Sequence, residues 1–198
     1  ELFIRERFPG RLVVITGTNG KSATTSLAGH VLAESGISVA VGGNVGIPVL
    51  ELPDVSSEGV YVIEMSSYQL DLTPSLSADV AVLLNISPDH LNRHGGMAGY
   101  IAAKRQLLDK QSEEQIAVVG LDDEDTLETF RQLRKAKHKN TIGISGDFNT
   151  LADIYVKEGF LYDKTEAQES DFAKIDVNAV PELKGCHNGQ NAAAAYAI

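Results

Sequence analysis

Short apolar runs rich in β-branched residues alternate along this chain with longer stretches of helical spacing. Leu12-Val13-Val14-Ile15, Val60-Tyr61-Val62-Ile63 and Val80-Ala81-Val82-Leu83-Leu84 have no charged residue at any position. A strand with one wet face would alternate apolar and polar residues, so these runs predict strands buried on both faces. Ile37 to Val41, Ile116 to Val119 and Thr141 to Ile144 read as further strands. Ser22 to Ser35 is helical in pattern and is followed by Gly36, a residue suited to stopping a helix. Tyr100 to Lys110 has the same spacing. Asp122 to Lys137 carries acids at its start and bases at its end, which suits the helix macrodipole. Strands alternating with helices predict an α/β fold, a mainly parallel sheet flanked by helices. From about Asp153 to Val177 the character changes. Ile154-Tyr155-Val156 and Phe160-Leu161-Tyr162, separated by Lys157-Glu158-Gly159, predict a hairpin, hence a small antiparallel β segment near the C-terminus. A last helix is expected to open at Asn191, in the alanine-rich stretch that follows.

Composition narrows the function classes. The chain has 198 residues, 43% of them hydrophobic, which is ample for a core. Lys plus Arg number 17 and Asp plus Glu 27, a net charge of −10. That balance excludes broad electrostatic binding to nucleic acid or an anionic membrane. Phosphate, if bound, must be held by a local cradle. A single cysteine, Cys186, excludes an intrachain disulfide framework and a cysteine-rich zinc site, and fits a reducing, cytoplasmic setting. No apolar run is long enough to span a bilayer, and Glu1 to Gly10 lacks the apolar centre of a signal peptide. The chain starts at Glu rather than Met, and helical pattern runs to its end. The expectation is a segment of a longer protein.

One stretch carries sharper chemistry. Val13 to Thr16 runs into Gly17-Thr18-Asn19-Gly20-Lys21-Ser22 and then into a helix. Glycines let a backbone curl so that its N–H groups approach phosphate oxygens, and the helix start adds its positive end. Lys21 can set a cation against the outer phosphates, and the Ser22 hydroxyl can ligate Mg²⁺. Gly17, Thr18, Asn19, Gly20, Lys21 and Ser22 are therefore candidate ATP-binding residues. The plain alternative is a glycine turn before a helix. The spacing departs from the general Walker A pattern, which would require glycine where Ile15 stands.

That departure is informative. Thr16-Gly17-Thr18-Asn19-Gly20-Lys21-Ser22 resembles the shortened ATP loop of the Mur ligases, which build the peptide of bacterial peptidoglycan. Four further stretches resemble the same family in the same order: Gly42 to Pro48, Glu64-Met65-Ser66-Ser67-Tyr68-Gln69-Leu70, Asn85 to His94, and Gly185-Cys186-His187-Asn188-Gly189-Gln190-Asn191-Ala192. The Gly-Gly-Asn loop and the Ser-Ser-Tyr-Gln tail point to the family's D-glutamate-adding branch. Folylpolyglutamate synthases are relatives with similar ATP chemistry. Another Mur ligase, a folylpolyglutamate synthase relative, a non-catalytic nucleotide-binding module and an ordinary P-loop phosphotransferase are the alternative readings.

The resemblance implies that residues 1–198 are the central ATP-binding domain of a ligase, C-terminally truncated, with the UDP-binding and amino-acid-binding domains outside the chain. It implies an ATP-dependent ligase that phosphorylates the carboxylate of UDP-N-acetylmuramoyl-L-alanine and then couples D-glutamate to it. It implies Lys21, Glu64, His90 and Lys104 as catalytic residues, and Ser22, Glu64, His90 and Lys104 as Mg²⁺ ligands. Lys104 would serve as a ligand only once carbamylated, since an ammonium cannot coordinate a metal. It further implies Asn188 and Asn191 at the adenine of ATP, and Asn44, Ser66 and Gln69 at the muramoyl-alanine substrate. The expected protein is a cytoplasmic monomer. Each residue also has a plainer reading. Glu64 is equally a strand-end acid facing solvent, His90 an exposed loop histidine, and Lys104 a solvated helix lysine. Asn188 and Asn191 are equally helix caps, and Asn44 a turn residue. Asp122 to Asp125 reads as an acidic helix start. Ala23 and Asn92 depart from the family pattern: Ala23 stands where Thr is common and removes a hydroxyl near the phosphates, and Asn92 replaces the usual Asp and removes a charge near the second metal.

Overall fold

The computed structural model describes residues 10–136, 140–165 and 174–198. The first nine residues and Lys137, which closes the expected acidic-to-basic helix, lie outside them. The elements run β1 (Arg11–Thr16), α1 (Lys21–Glu34), β2 (Val39–Gly43), β3 (Val60–Glu64), α2 (Ser67–Asp71), β4 (Val80–Leu83), α3 (Leu91–His94), α4 (Met97–Asp109) and β5 (Ile116–Gly120). They continue with α5 (Glu124–Lys135), β6 (Thr141–Ser145), β7 (Ile154–Lys157), β8 (Phe160–Asp163), β9 (Lys174–Asp176) and α6 (Cys186–Tyr196).

The strands form one sheet in the order β2-β3-β1-β4-β5-β6-β7-β8-β9. From β2 to β7 every neighbouring pair is parallel, and β8 and β9 add on antiparallel. The expected fold class is therefore observed, including the hairpin.

The continuous apolar runs have the predicted cause. Successive side chains of a strand point to opposite faces, and here both faces are covered. Leu12, Val14, Tyr61, Ile63, Ala81 and Leu83 pack with Tyr100, Leu107 and Leu108 of α4 and with Phe130 and Leu133 of α5. Val13, Ile15, Val60, Val62, Val80 and Val82 pack on the other side with Ala28 of α1 and the alanines of α6. Among the described residues, no helix is long and apolar enough to cross a membrane.

Several elements start away from the expected residue, and the helix expected from Tyr100 already opens at Met97. The strand expected at Ile37 runs instead from Val39 to Gly43, because its pairing with β3 sets Gly43 opposite Glu64. The last helix opens five residues before Asn191, at Cys186, although Gly189 and its polar neighbours are weak helix formers. Packing overrides propensity there. A Cβ added at Gly146, just past β6, would stand 1.9 Å from the Cys186 carbonyl, and one at Gly189 would stand 2.8 Å from the Gly146 carbonyl.

Because β1, β3 and β4 are parallel neighbours, the loops after them meet at one sheet edge, the edge where open α/β sheets bind ligands. Helix α1 rises from that edge and crosses β2 closely. A Cβ at Gly29 would lie 2.3 Å from Cγ2 of Val41. Gly29→Ala, which stabilises an exposed helix by about 1 kcal/mol, is therefore predicted to destabilise this protein by roughly 1–3 kcal/mol through overpacking. Coupling it with Val41→Ala should restore part of that loss. Denaturant unfolding of the two single variants and the double variant checks this, and additive losses would contradict it.

Candidate active site

The β1–α1 loop is built by glycine geometry. Gly20 caps the start of α1 with φ 81°, a conformation costly for residues with a side chain. A Cβ there would also lie 2.4 Å from Oδ1 of Asn191. Helix α1 starts at Lys21, so its first-turn N–H groups have no carbonyl within the helix to bond. The Lys21 ammonium donates to the Thr18 carbonyl at 2.8 Å, curling back over the loop. The Thr18 hydroxyl contacts the Tyr100 phenol at 3.0 Å and accepts from the Ser87 N–H at 3.0 Å.

Glu64 ends β3 with only 1% of its surface exposed, so the solvent-facing reading is set aside. A buried carboxylate needs donors, and it has two. Ser22 donates its hydroxyl to Oε2 at 2.7 Å, and the Asn44 amide donates to Oε1 at 3.0 Å. Three separate motifs thus meet on one carboxylate. Ser22 and Glu64 present adjacent oxygens, the donor type Mg²⁺ prefers. Among the described residues, no three His, Cys, Asp or Glu side chains gather as a metal centre. An ion here would take part of its shell from outside the protein.

Lys104 corrects the solvated reading most clearly. It lies on α4 but is 2% exposed, because α4 packs flat on the sheet below the phosphate loop. Its ammonium donates to the Gly17 carbonyl at 2.8 Å and stands over the Tyr100 ring at 4.8 Å from the centroid. Burial and then the nearby Lys21 charge push its pKa down to about 7, with Asp89 opposing. Burial also pushes the Tyr100 phenol up.

His90 starts α3 in the left-handed region at φ 49°, rare for a residue with a side chain and typical of functional loops. Its half-exposed ring stands 3.3 Å from Asp89 and edge-on to Tyr68 at 5.1 Å. One cleft of about 370 Å³ brings His90 together with Lys21, Asn44, Ser66, Tyr100 and Lys104.

Other candidates are placed differently. Ser66 and Gln69 form a reciprocal cap on α2: the Gln69 N–H donates to the Ser66 hydroxyl, and the Ser66 N–H donates to Gln69 Oε1 at 2.9 Å. Ser66 still lines the cleft. Asn188 and Asn191 lie inside α6, whose cap is Gly185, so neither is a helix cap. Asn188 donates to the carbonyls of Glu182 and Lys184. Asn191 is buried and accepts from the Thr24 hydroxyl at 3.1 Å.

Sequence reasoning assigned no function to Asn85, Asp122 and Gln190. Asp123 caps α5 as an acidic helix start should, by accepting from the Thr126 N–H at 2.9 Å. Asp122, one residue earlier, turns the other way, toward β6 and α6. Asn85 and Gln190 stand inside two of the quoted motifs, and that membership is the signal the sequence offers for them.

The family model for the Mur ligase middle domain matches residues 15–198. The UDP-N-acetylmuramoylalanine--D-glutamate ligase of Phenylobacterium zucineum (strain HLK1) is 48% identical over 187 residues, 94% of this chain and 39% of that protein. The chain spans about two fifths of the length of the curated relatives it matches. The UDP-N-acetylmuramoylalanyl-D-glutamyl-2,6-diaminopimelate--D-alanyl-D-alanyl ligase of Acinetobacter baumannii superposes with a TM-score of 0.68 at 22% identity, over 98% of this chain and 43% of that one. The MurF ligase of Thermotoga maritima, in complex with ADP, superposes with a TM-score of 0.63 at 25% identity, over 95% of this chain and 44% of that one.

The depressed pKa of Lys104 gives a stability prediction. An unfolded lysine holds its proton up to about pH 10.4, whereas the folded one releases it near 7. Between those values the unfolded state binds more protons, so this group's contribution to stability rises with pH. Wild type should therefore gain stability relative to Lys104→Met as pH rises through that window, on the order of 1 kcal/mol per pH unit. Urea unfolding of both proteins between about pH 6 and pH 10 measures it, and a constant difference would contradict it.

Proposed function

The chain belongs to the Mur ligase family, matching its middle domain over residues 15–198, and from that premise we propose that it is the ATP-binding central segment of a D-glutamate ligase. The reaction is the ATP-dependent joining of D-glutamate to UDP-N-acetylmuramoyl-L-alanine. The observation that carries this reading is the meeting of three motifs on Glu64: Ser22 from the phosphate loop and Asn44 from the substrate-side loop both donate to its buried carboxylate. The 48% identity to the Phenylobacterium D-glutamate ligase favours the D-glutamate branch over the others.

The residues suit the chemistry. A carboxylate oxygen of the substrate attacks the γ-phosphorus of ATP and ADP leaves. The amine of D-glutamate then attacks the acyl carbon, phosphate leaves and the amine gives up a proton. Both first-step reactants are anions, so cations and oriented donors must offset their repulsion. The first-turn N–H groups of α1 and the Lys21 ammonium face that charge. Ser22 and Glu64 would hold one Mg²⁺, and His90 with carbamylated Lys104 would hold a second. Bound there, Mg²⁺ supplies charge neutralisation and alignment of the phosphate oxygens. Asn44 and Ser66 stand on the substrate side of the same cleft, with Gln69 behind Ser66. Asn188 and Asn191 bear on the adenine end. The working protein is a cytoplasmic monomer, whose further domains complete the site.

Carbamylation of Lys104 belongs to this reading. The step joins a neutral amine to CO₂ and releases one proton. A lysine with a pKa of about 7 supplies that amine near neutral pH. The product is an oxygen ligand in place of a cation. In the complete ligase, Lys104→Ala is predicted to lose activity and to regain part of it with added short carboxylic acids. Failure of such acids to restore any activity would count against the carbamate.

Calorimetric titration of this chain with a non-hydrolysable ATP analogue and Mg²⁺, beside Lys21→Ala, tests the nucleotide site. Binding should weaken at least tenfold in the variant, about the loss of one charge-assisted contact, and should require Mg²⁺. Equal binding by both proteins would overturn the assignment of the phosphate loop.

A further inference from the structure

A line of polar groups runs from the phosphate loop to the far side of α6. Asn85, just past β4, makes three bonds to the loop. Its carbonyl accepts from the Thr18 N–H at 2.9 Å, its Oδ1 accepts from the Asn19 N–H at 2.8 Å, and its Nδ2 donates to the Asn19 carbonyl at 3.1 Å. Both backbone polar groups of Asn19 are held by one side-chain amide. Nδ2 also donates to Oε1 of Gln190 at 3.2 Å. Nε2 of Gln190 donates to Oδ2 of Asp122 at 2.8 Å, and that oxygen also accepts from the Gly146 N–H at 2.8 Å. Gln190 is 4% exposed. Its space exists because position 120 is glycine, where a Cβ would stand 2.8 Å from Nε2.

The direction of this chain is chemically determined. A side-chain amide has a donor end and an acceptor end, and a carboxylate only accepts. Asp122 therefore draws the nitrogen of Gln190 and leaves its oxygen toward Asn85. That oxygen draws the nitrogen of Asn85 and leaves Oδ1 for the Asn19 N–H. The Thr18 and Asn19 N–H groups are thus both taken by Asn85, whereas the first-turn N–H groups of α1 have no carbonyl within the helix to bond.

We propose that Asn85, Gln190 and Asp122 are positioning residues, which hold the phosphate loop in its binding shape before any nucleotide arrives. The proposal rests on reading that loop as the phosphate site. None of the three is placed at the reacting atoms; they act through the peptide of Asn19. Asp122→Asn should preserve the relay, because the Gly146 N–H keeps an amide oxygen in the place of Oδ2. Gln190→Met, close in shape and unable to donate or accept, should break it. Asn85→Ala removes the last link directly.

Residue-resolved amide hydrogen exchange of the chain without nucleotide reads the effect. The Asn19 N–H should exchange roughly tenfold faster or more in Gln190→Met and Asn85→Ala, the scale of one lost hydrogen bond. It should keep its wild-type rate in Asp122→Asn, while amides of β5 stay protected in all variants. The β5 amides separate loop release from general unfolding, and a variant that fails to fold leaves Asp122→Leu as the second break in the relay. Unchanged exchange at Asn19 in folded Gln190→Met or Asp122→Leu would overturn the proposal. A faster Asn19 in Asp122→Asn would overturn it too. The nucleotide reading is scored separately: Lys21→Ala should weaken ATP-analogue binding. Binding that ignores Lys21 would defeat that reading and leave the exchange result standing for the loop alone.

Discussion

A carboxylate sealed in a protein interior must be met by donors, and Glu64 is the charge around which this sheet edge is organised. It stands at the end of β3 with almost no contact with water. Its two donors come from Ser22 on α1 and Asn44 beyond β2. The strands flanking β3 in the sheet are β1 and β2, and those are the strands whose loops deliver the donors. Removing either partner would leave a buried charge short of a hydrogen bond, which is more damaging than the bond itself is stabilising. The register of three strands and the approach of two loops are thus tied to one side chain.

On the proposed function, an acidic chain must hold anions. A net charge of −10 repels phosphate at long range, but screening confines that repulsion to about a Debye length in physiological salt. At contact distance the local groups decide. At Lys104 burial first, and then the nearby Lys21 charge, disfavour the ammonium. The outcome is a lysine that sits at its titration point near neutral pH. Its neighbour Tyr100 lies flat beneath the ammonium and ties the same helix to the phosphate loop through Thr18.

Much of this was legible in the sequence, and the reasons are specific. Val60 to Ile63 and Val80 to Leu83 read as buried strands because water touches neither face, so no polar residue interrupts them. The phosphate loop read clearly because glycine spacing expresses a backbone requirement, local to a few residues. Burial of Lys104 did not read, because it depends on how α4 lies against the sheet. The early start of α6 did not read either. Cys186 to Gly189 are weak helix formers, and Gly146, distant in sequence and just past β6, leaves room for their backbone. Asp122 looked like one acid among four, and its turn away from α5 is a tertiary fact.

The contact between Gly20 and Asn191 has a consequence in time. The two residues meet at the mouth of the phosphate loop, with Thr24 bonded to the same asparagine, yet they are separated by most of the described chain. A ribosome adding about 5–20 residues per second would finish β1 and α1 on the order of ten seconds or more before Asn191 exists. During that interval the glycine loop has no wall on its α6 side and no relay from Gln190. A nascent chain thus carries the whole glycine-loop motif well before it carries the assembled loop. Contacts of such long sequence separation also form late in refolding, so the competence of the loop marks the end of folding rather than its beginning.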